Sequence, residues 1–245
     1  MEQPSAMAYA IGRIRSAWNW SPELVESTLK TELRRRQITR WAMIVRKMKC
    51  EEPPNNLYMM LQDVNPDYTG SPQMLPYLTK LLTSKVGKEA SFAASCIGYM
   101  MDQWNTGPAE MLRIKKKCIA SGAVANLIRL LQFDNRRQLE NVLNALSHIA
   151  DGDAECRTAL IKLGAIPKFI DLLYHEDHTI KALASKVFWW LSVYGNLECK
   201  MACIKEGAIE GLEDCYKFMT SLKYMLYDNY HTRDALYALK MVNGC

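Results

Sequence analysis

Two adjacent tryptophans, Trp189-Trp190, and a histidine–acid run, His175-Glu176-Asp177-His178, are the residues of this 245-residue sequence best suited to chemistry. An indole presents an electron-rich face that attracts the ammonium or guanidinium of a basic side chain. The histidine–acid run has metal-ligating residue types but lacks a third well-spaced ligand group, so it reads as a solvated turn. Cys199 and Cys203 stand one helical turn apart and read as small core residues. The sequence contains no HExxH, no G-x-S-x-G elbow, no Gly-rich phosphate loop after a strand and no spaced carboxylate pair with an obvious cleft. Catalysis is therefore not expected, and neither a metal nor a cofactor is called for.

Composition narrows the partner classes. The net charge of +5 is concentrated in Arg34, Arg35, Arg36, Arg40, Arg46, Lys47 and Lys49, with a second cluster at Arg113, Lys115, Lys116 and Lys117. Such runs are usually solvated helix faces, so nucleic acid is not the expected partner. The eight cysteines include no CxxC pair and fall mostly among apolar residues, as reduced core cysteines of an intracellular protein do. No run approaches the ~18 apolar residues of a membrane span, and residues 1–18 lack the continuous apolar stretch of a signal peptide. The expectation is a protein of cytoplasm and nucleus with no membrane partner.

The elements that must position these residues repeat. Gly122-Ala123-Val124, Gly164-Ala165-Ile166 and Gly207-Ala208-Ile209 open similar segments spaced by 42 and 43 residues. That period falls within the ~40–47 residues of armadillo and HEAT units. An earlier copy, Met74-Leu75-Pro76 through Leu81-Leu82, aligns if an insertion of about seven residues lies in the connection from Gln103 to Pro108. Each unit resolves into three helices. The third helices carry apolar columns at i, i+3, i+4, i+7: Ala90, Ala93, Ala94, Ile97; Leu139, Val142, Leu143, Leu146; and Ala184, Val187, Phe188, Leu191. First helices end on Ile119, Ile161 and Ile204, three residues before each glycine, which suits a sharp turn because glycine tolerates positive φ.

One unit cannot bury its apolar faces alone, so units stack and leave a concave surface along the third helices. The expected fold is an all-α armadillo-repeat right-handed solenoid of about four units, with boundaries near 19–69, 70–110, 111–153, 154–196 and a partial 197–245. Ahead of it, residues 1–18 form an N-terminal extension. Ser21 and Pro22 open the first helical region, which Pro53-Pro54 stops. At the far end, Ile209–Met219 reads as a second helix and Thr232–Val242 as a final third helix capped by Thr232.

Two stretches resemble the importin-α adaptors of nuclear import over roughly Asn19 to Tyr216. One is the opening Asn19-Trp20-Ser21 with Glu23-Leu24-Val25 and the later Pro53-Pro54. The other is Ile149-Ala150-Asp151-Gly152-Asp153-Ala154 with Arg157 and Ile161-Lys162-Leu163-Gly164-Ala165-Ile166. A longer turn before the third helix of the fourth unit is also similar.

The resemblance implies an adaptor that binds basic nuclear localisation peptides of cargo proteins, using a ladder of Trp and Asn four residues apart on successive third helices. Lysine stems lie between the indoles, and the amides hold the peptide backbone. At the matching positions stand Ser95 and Tyr99, then Asn144 and His148, then Trp189 and Val193, so Trp189 alone keeps the family's residue. Asp151 and Asp153 flank the place of the acidic residue that pairs with cargo lysine. The basic segment with which the family binds importin-β is not evident in residues 1–18, whose cations are Arg13 and Arg15. Coupling to importin-β therefore does not follow. The same diverged concave residues suit an alternative, a non-transport armadillo scaffold for another protein partner.

Overall fold

The computed structural model describes residues 75–101, 107–221 and 229–244, all within the second of the chain's two compact units, Lys49–Cys245. These residues form eleven helices and no strand: α1 (Leu75–Leu81), α2 (Gly87–Met101), α3 (Pro108–Ala120), α4 (Ala123–Leu130), α5 (Arg136–Ala150), α6 (Ala154–Lys162), α7 (Ala165–Leu173), α8 (His178–Val193), α9 (Leu197–Lys205), α10 (Ala208–Ser221) and α11 (Asn229–Asn243). After the pair α1–α2 they fall into three triplets, α3–α5, α6–α8 and α9–α11. The basic run Arg34–Lys49, the opening at Asn19–Trp20, Pro53-Pro54, Cys50 and Cys245 lie outside the described residues.

The glycine period sets the first corner of each triplet. Gly122, Gly164 and Gly207 have φ of 77°, 70° and 90°, left-handed geometry that an L side chain resists, and each ends a first helix and starts a second. Side-chain caps set the next starts. Asn135 opens α5, Asp153 opens α6, Asp177 opens α8 and Asn196 opens α9, each accepting a backbone N–H of the first turn.

Third helices stack in chain order, α2 on α5, α5 on α8 and α8 on α11. All twelve residues of the three apolar columns are buried, forming a continuous core of the kind the repeat pattern implies. Small residues let α2 and α5 come close: a Cβ on Gly98 would stand 3.5 Å from the Ala145 backbone. The six described cysteines, at 96, 118, 156, 199, 203 and 215, are buried thiols, and burial pushes Cys96, Cys118 and Cys203 up to about 12.

Two expectations about boundaries need correction. The fourth unit has no longer turn before its third helix: residues 174–177 separate α7 from α8, against 131–135 between α4 and α5. Its extra residues instead extend α8 toward the N-terminus, because Asp177 caps the helix from an early position, accepting from Thr179 and Ile180. Thr232 is not a cap either. α11 begins at Asn229, and Thr232 is buried inside its first turn.

Candidate functional site

The third helices present the residues that the stack does not bury. On α2 these include Ser95 and Tyr99, both half-buried, one helical turn apart. On α5, Asn144 is exposed and His148 half-buried at the same spacing. On α8, Trp189 is half-buried and Val193 exposed. The sequence-derived ladder positions therefore share a register, outside the apolar column of each helix.

The Trp189 indole already packs against four neighbouring rings. Its ring centroid lies 4.6 Å from Trp190, 5.1 Å from Tyr194, 6.2 Å from Tyr230 and 5.1 Å from His231, with steep interplanar angles throughout. Edge-to-face contacts of this kind contribute ~0.5–1.5 kcal/mol each beyond burial. Tyr230 and His231 come from α11, so the cluster joins the last two third helices. Trp190 is also half-buried, and its Nε1 is buried without an acceptor.

Asp151 and Asp153 have partners within the chain. Asp151 accepts from Lys115 Nζ at 3.2 Å, and the Lys115 side chain is only 5% exposed. Asp153 caps α6 through the Cys156 amide at 3.0 Å and pairs with Lys116 at 2.9 Å. Burial raises the Asp153 carboxyl, but the Cys156 amide, the Lys116 ammonium and the Cys156 thiol outweigh it and hold it at about 2. Lys116 also reaches Glu155 at 2.6 Å. Of the basic cluster on α3, Arg113 and Lys117 are exposed, with Arg113 paired to Glu110, whereas Lys115 is buried, and Lys115 and Lys116 brace the start of α6.

The histidine–acid run serves the turn into α8. His175 Nδ1 accepts from the Asp177 amide at 2.9 Å, and its Nε2 lies 3.3 Å from Asp134 Oδ1 across the turns of two units. Arg136 reaches Asp177 at 3.2 Å between the same units. Among the described residues, no group of three His, Cys, Asp or Glu side chains is placed to hold a metal ion.

The sequence reading missed a cleft of about 690 Å³ where the α1–α2 turn faces the α4–α5 turn. Lys85 and Lys88 line it from one unit and Arg129 and Arg137 from the next, with Phe133 and Asp134 at the rim. Arg129 donates to Leu82 O at 2.9 Å, and Asn141 Nδ2 donates to Ser91 Oγ at 3.0 Å, tying the two units beside the opening. Small residues of α2, Gly87, Ala90 and Ser91, leave the space. These cations are scattered from residue 85 to residue 137, so no charge run in the sequence marks them.

No protein-family model matches the sequence, and no curated protein matches it. Solved structures do. An engineered protein is similar at 25% identity with a TM-score of 0.58, over 68% of this chain and 64% of that one. A second engineered protein matches at 22% identity and TM-score 0.58, over 67% and 62%. The chain thus spans under two thirds of the length of both. A designed armadillo repeat protein in complex with the peptide (KR)4 matches at 18% identity and TM-score 0.62, over 96% of this chain and 100% of that one. The helix triplets, the glycine corners and this likeness establish the fold, an all-α armadillo-repeat solenoid.

Proposed function

We propose that this protein is a binding scaffold that holds an extended segment of a partner protein along its third helices and turns nothing over. The observation that carries this is the stack itself. α2, α5 and α8 bury their apolar columns against their neighbours and leave Ser95, Tyr99, Asn144, His148, Trp189 and Val193 in a shared register outside that core. Side chains one turn apart on parallel rows match the repeat of an extended peptide, whose alternate residues face a surface in turn. The designed armadillo protein solved with (KR)4 is a likeness in fold that supports a peptide as the ligand class.

The finer form is an importin-α-like adaptor that binds basic localisation peptides of cargo proteins for import into the nucleus. The resemblance at Asn19–Ser21 and Ile149–Ile166 supports it, as does the retained Trp189. A second form, a scaffold outside transport, is favoured by the internal partners of Trp189, Asp151 and Asp153. Anisotropy titration of a fluorescent lysine-rich localisation peptide against a scrambled control separates the two. Saturable, selective binding that Trp189→Ala and Asn144→Ala both weaken supports the adaptor. Absence of selective binding removes it, and the scaffold then rests on partners captured from lysate. A captured partner indifferent to Asn144→Glu and Ser95→Glu overturns the scaffold reading.

A further inference from the structure

The row of third-helix positions does not stop at α8. On each helix its members stand five and nine residues after the first residue of the buried column: Ser95 and Tyr99 after Ala90, Asn144 and His148 after Leu139, Trp189 and Val193 after Ala184. The buried residues of α11, Thr232, Ala235 and Leu239, repeat the spacing of Ala184, Val187 and Leu191. Counted from Thr232, the same two positions on α11 are Tyr237 and Met241. They are 65% and 64% exposed. With Tyr230 they fall at i, i+7 and i+11, a single stripe of the helix opposite its buried residues. The stripe begins on the side of the row, because the Tyr230 ring centroid lies 6.2 Å from that of Trp189. Exposed large apolar side chains are ordinary when they stand singly. Here Val193, Tyr230, Tyr237 and Met241 are all exposed on two adjacent third helices beside Trp189. The charges on α11 are paired: Arg233 with Asp234 at 2.9 Å, and Lys240 with Glu213 of α10 at 2.5 Å. The row thus changes character along its length, from the polar Ser95 and Asn144 to an apolar end.

We infer that Tyr237 and Met241 form a fourth rung of the row, and that this rung anchors a large apolar side chain of the partner segment, leucine, methionine or an aromatic. The inference rests on the scaffold reading and names the chemistry of one end of its partner. The occupant is the same extended segment, because α11 stacks on α8 and its stripe continues the positions of Trp189 and Val193. An apolar side chain packed on Tyr237 and Met241 removes apolar surface of both partners from water. Tyrosine supplies rigid contact area at low entropic cost, and methionine adapts to the shape of what it meets. A lysine at the same place meets two carboxylates, Asp234 and Glu213, that already hold cations.

A phage-displayed library of random linear peptides, selected against the full chain, supplies the probe. The selected sequences share a large apolar residue, and a synthetic fluorescent copy binds saturably by anisotropy with an affinity that salt changes little. Serine in place of that residue weakens binding by at least about tenfold, as does Tyr237→Ser with Met241→Ser in the protein. Made together, the peptide and protein changes weaken it no further than either alone, since each removes the same contact. Leu163→Ser, at an exposed apolar site at the end of α6, changes affinity less than about twofold. Circular dichroism melts check that each variant folds. Selection for charge instead of an apolar residue, or peptide and protein changes whose effects simply add, overturns the fourth rung and leaves the scaffold standing. So does a dimer in sedimentation velocity that the double substitution dissolves, since a second copy then covers the stripe. A library that yields no binder overturns both.

Discussion

The seam between α2 and α5 and the seam between α8 and α11 join equivalent helices of the same repeat, yet they are built differently. At the first, small residues bring the backbones together, Asn141 reaches Ser91, and a cationic cleft stays open beside them. At the second, Trp189, Trp190, Tyr194, Tyr230 and His231 fill the surface with rings. Buried residues at helical spacing back both seams, so the fold does not dictate what lies outside them. The backbone repeat sets where side chains stand, and their identity decides whether a seam is open to a ligand or closed on itself.

Breaking the closed seam has the largest expected effect. Trp189→Ala removes half-buried aromatic contacts and destabilises by ~2–3 kcal/mol, below the ~3–5 kcal/mol of a fully buried aromatic. The melting temperature drops by ~4–12 °C, and α11 amides lose hydrogen-exchange protection before those of α5. Equal loss in both helices would show that the rings are not specific to the last seam.

Next in size is the ion pair that supports the junction between the seams. Asp151→Ala strands the Lys115 ammonium at 5% exposure and costs ~2 kcal/mol, less than a fully buried pair because Asp151 is one-third exposed. Replacing both partners, Lys115→Met with Asp151→Ala, recovers most of this in a denaturant melt. A double variant no better than the single one would remove the pair as the cause.

The caps sharpen the comparison further. Asp153→Ala and Asn196→Ala each remove an equivalent N-cap and cost ~1 kcal/mol. They differ in acid. Asp153 has its carboxyl lowered to about 2 in the folded chain from an ordinary 3.8, so its contribution is full above pH ~4 and is lost as pH falls toward 2. Asn196 has no such dependence. The wild type therefore loses stability relative to Asp153→Asn between pH ~4 and 2, and identical acid profiles would contradict the assignment. The smallest effect is expected at the open seam's exposed ladder position, where Asn144→Ala changes stability by no more than ~0.5 kcal/mol.

The fold was legible because its determinants are local and periodic. The glycine corners repeat at a fixed spacing, and the apolar columns follow helical period, so Gly122, Gly164 and Gly207 and the columns from Ala90 to Leu191 could be read in one dimension. The candidate site was less so. Its ladder positions follow from register, but the packing of Trp189 depends on Tyr230 and His231, about forty residues away in the first turn of α11, ahead of the start that the sequence suggests at Thr232. The partners of Asp151 and Asp153 lie 36 and 37 residues back on α3, where Lys115 and Lys116 looked like part of a surface cluster. The cleft gathers cations from two units, and a charge pattern divided between turns leaves no run to recognise.

The central claim is that a partner peptide lies along the third-helix row. The most direct measurement follows the ¹H–¹⁵N resonances of the Asn144 side-chain amide and the Trp189 indole while a binding peptide is titrated into the labelled protein. The account predicts that both move with one common affinity, the amide more than the ring-enclosed indole, while the first-helix amides of Cys156 and Cys199 stay in place. Saturable binding that leaves the Asn144 and Trp189 signals unmoved would contradict it.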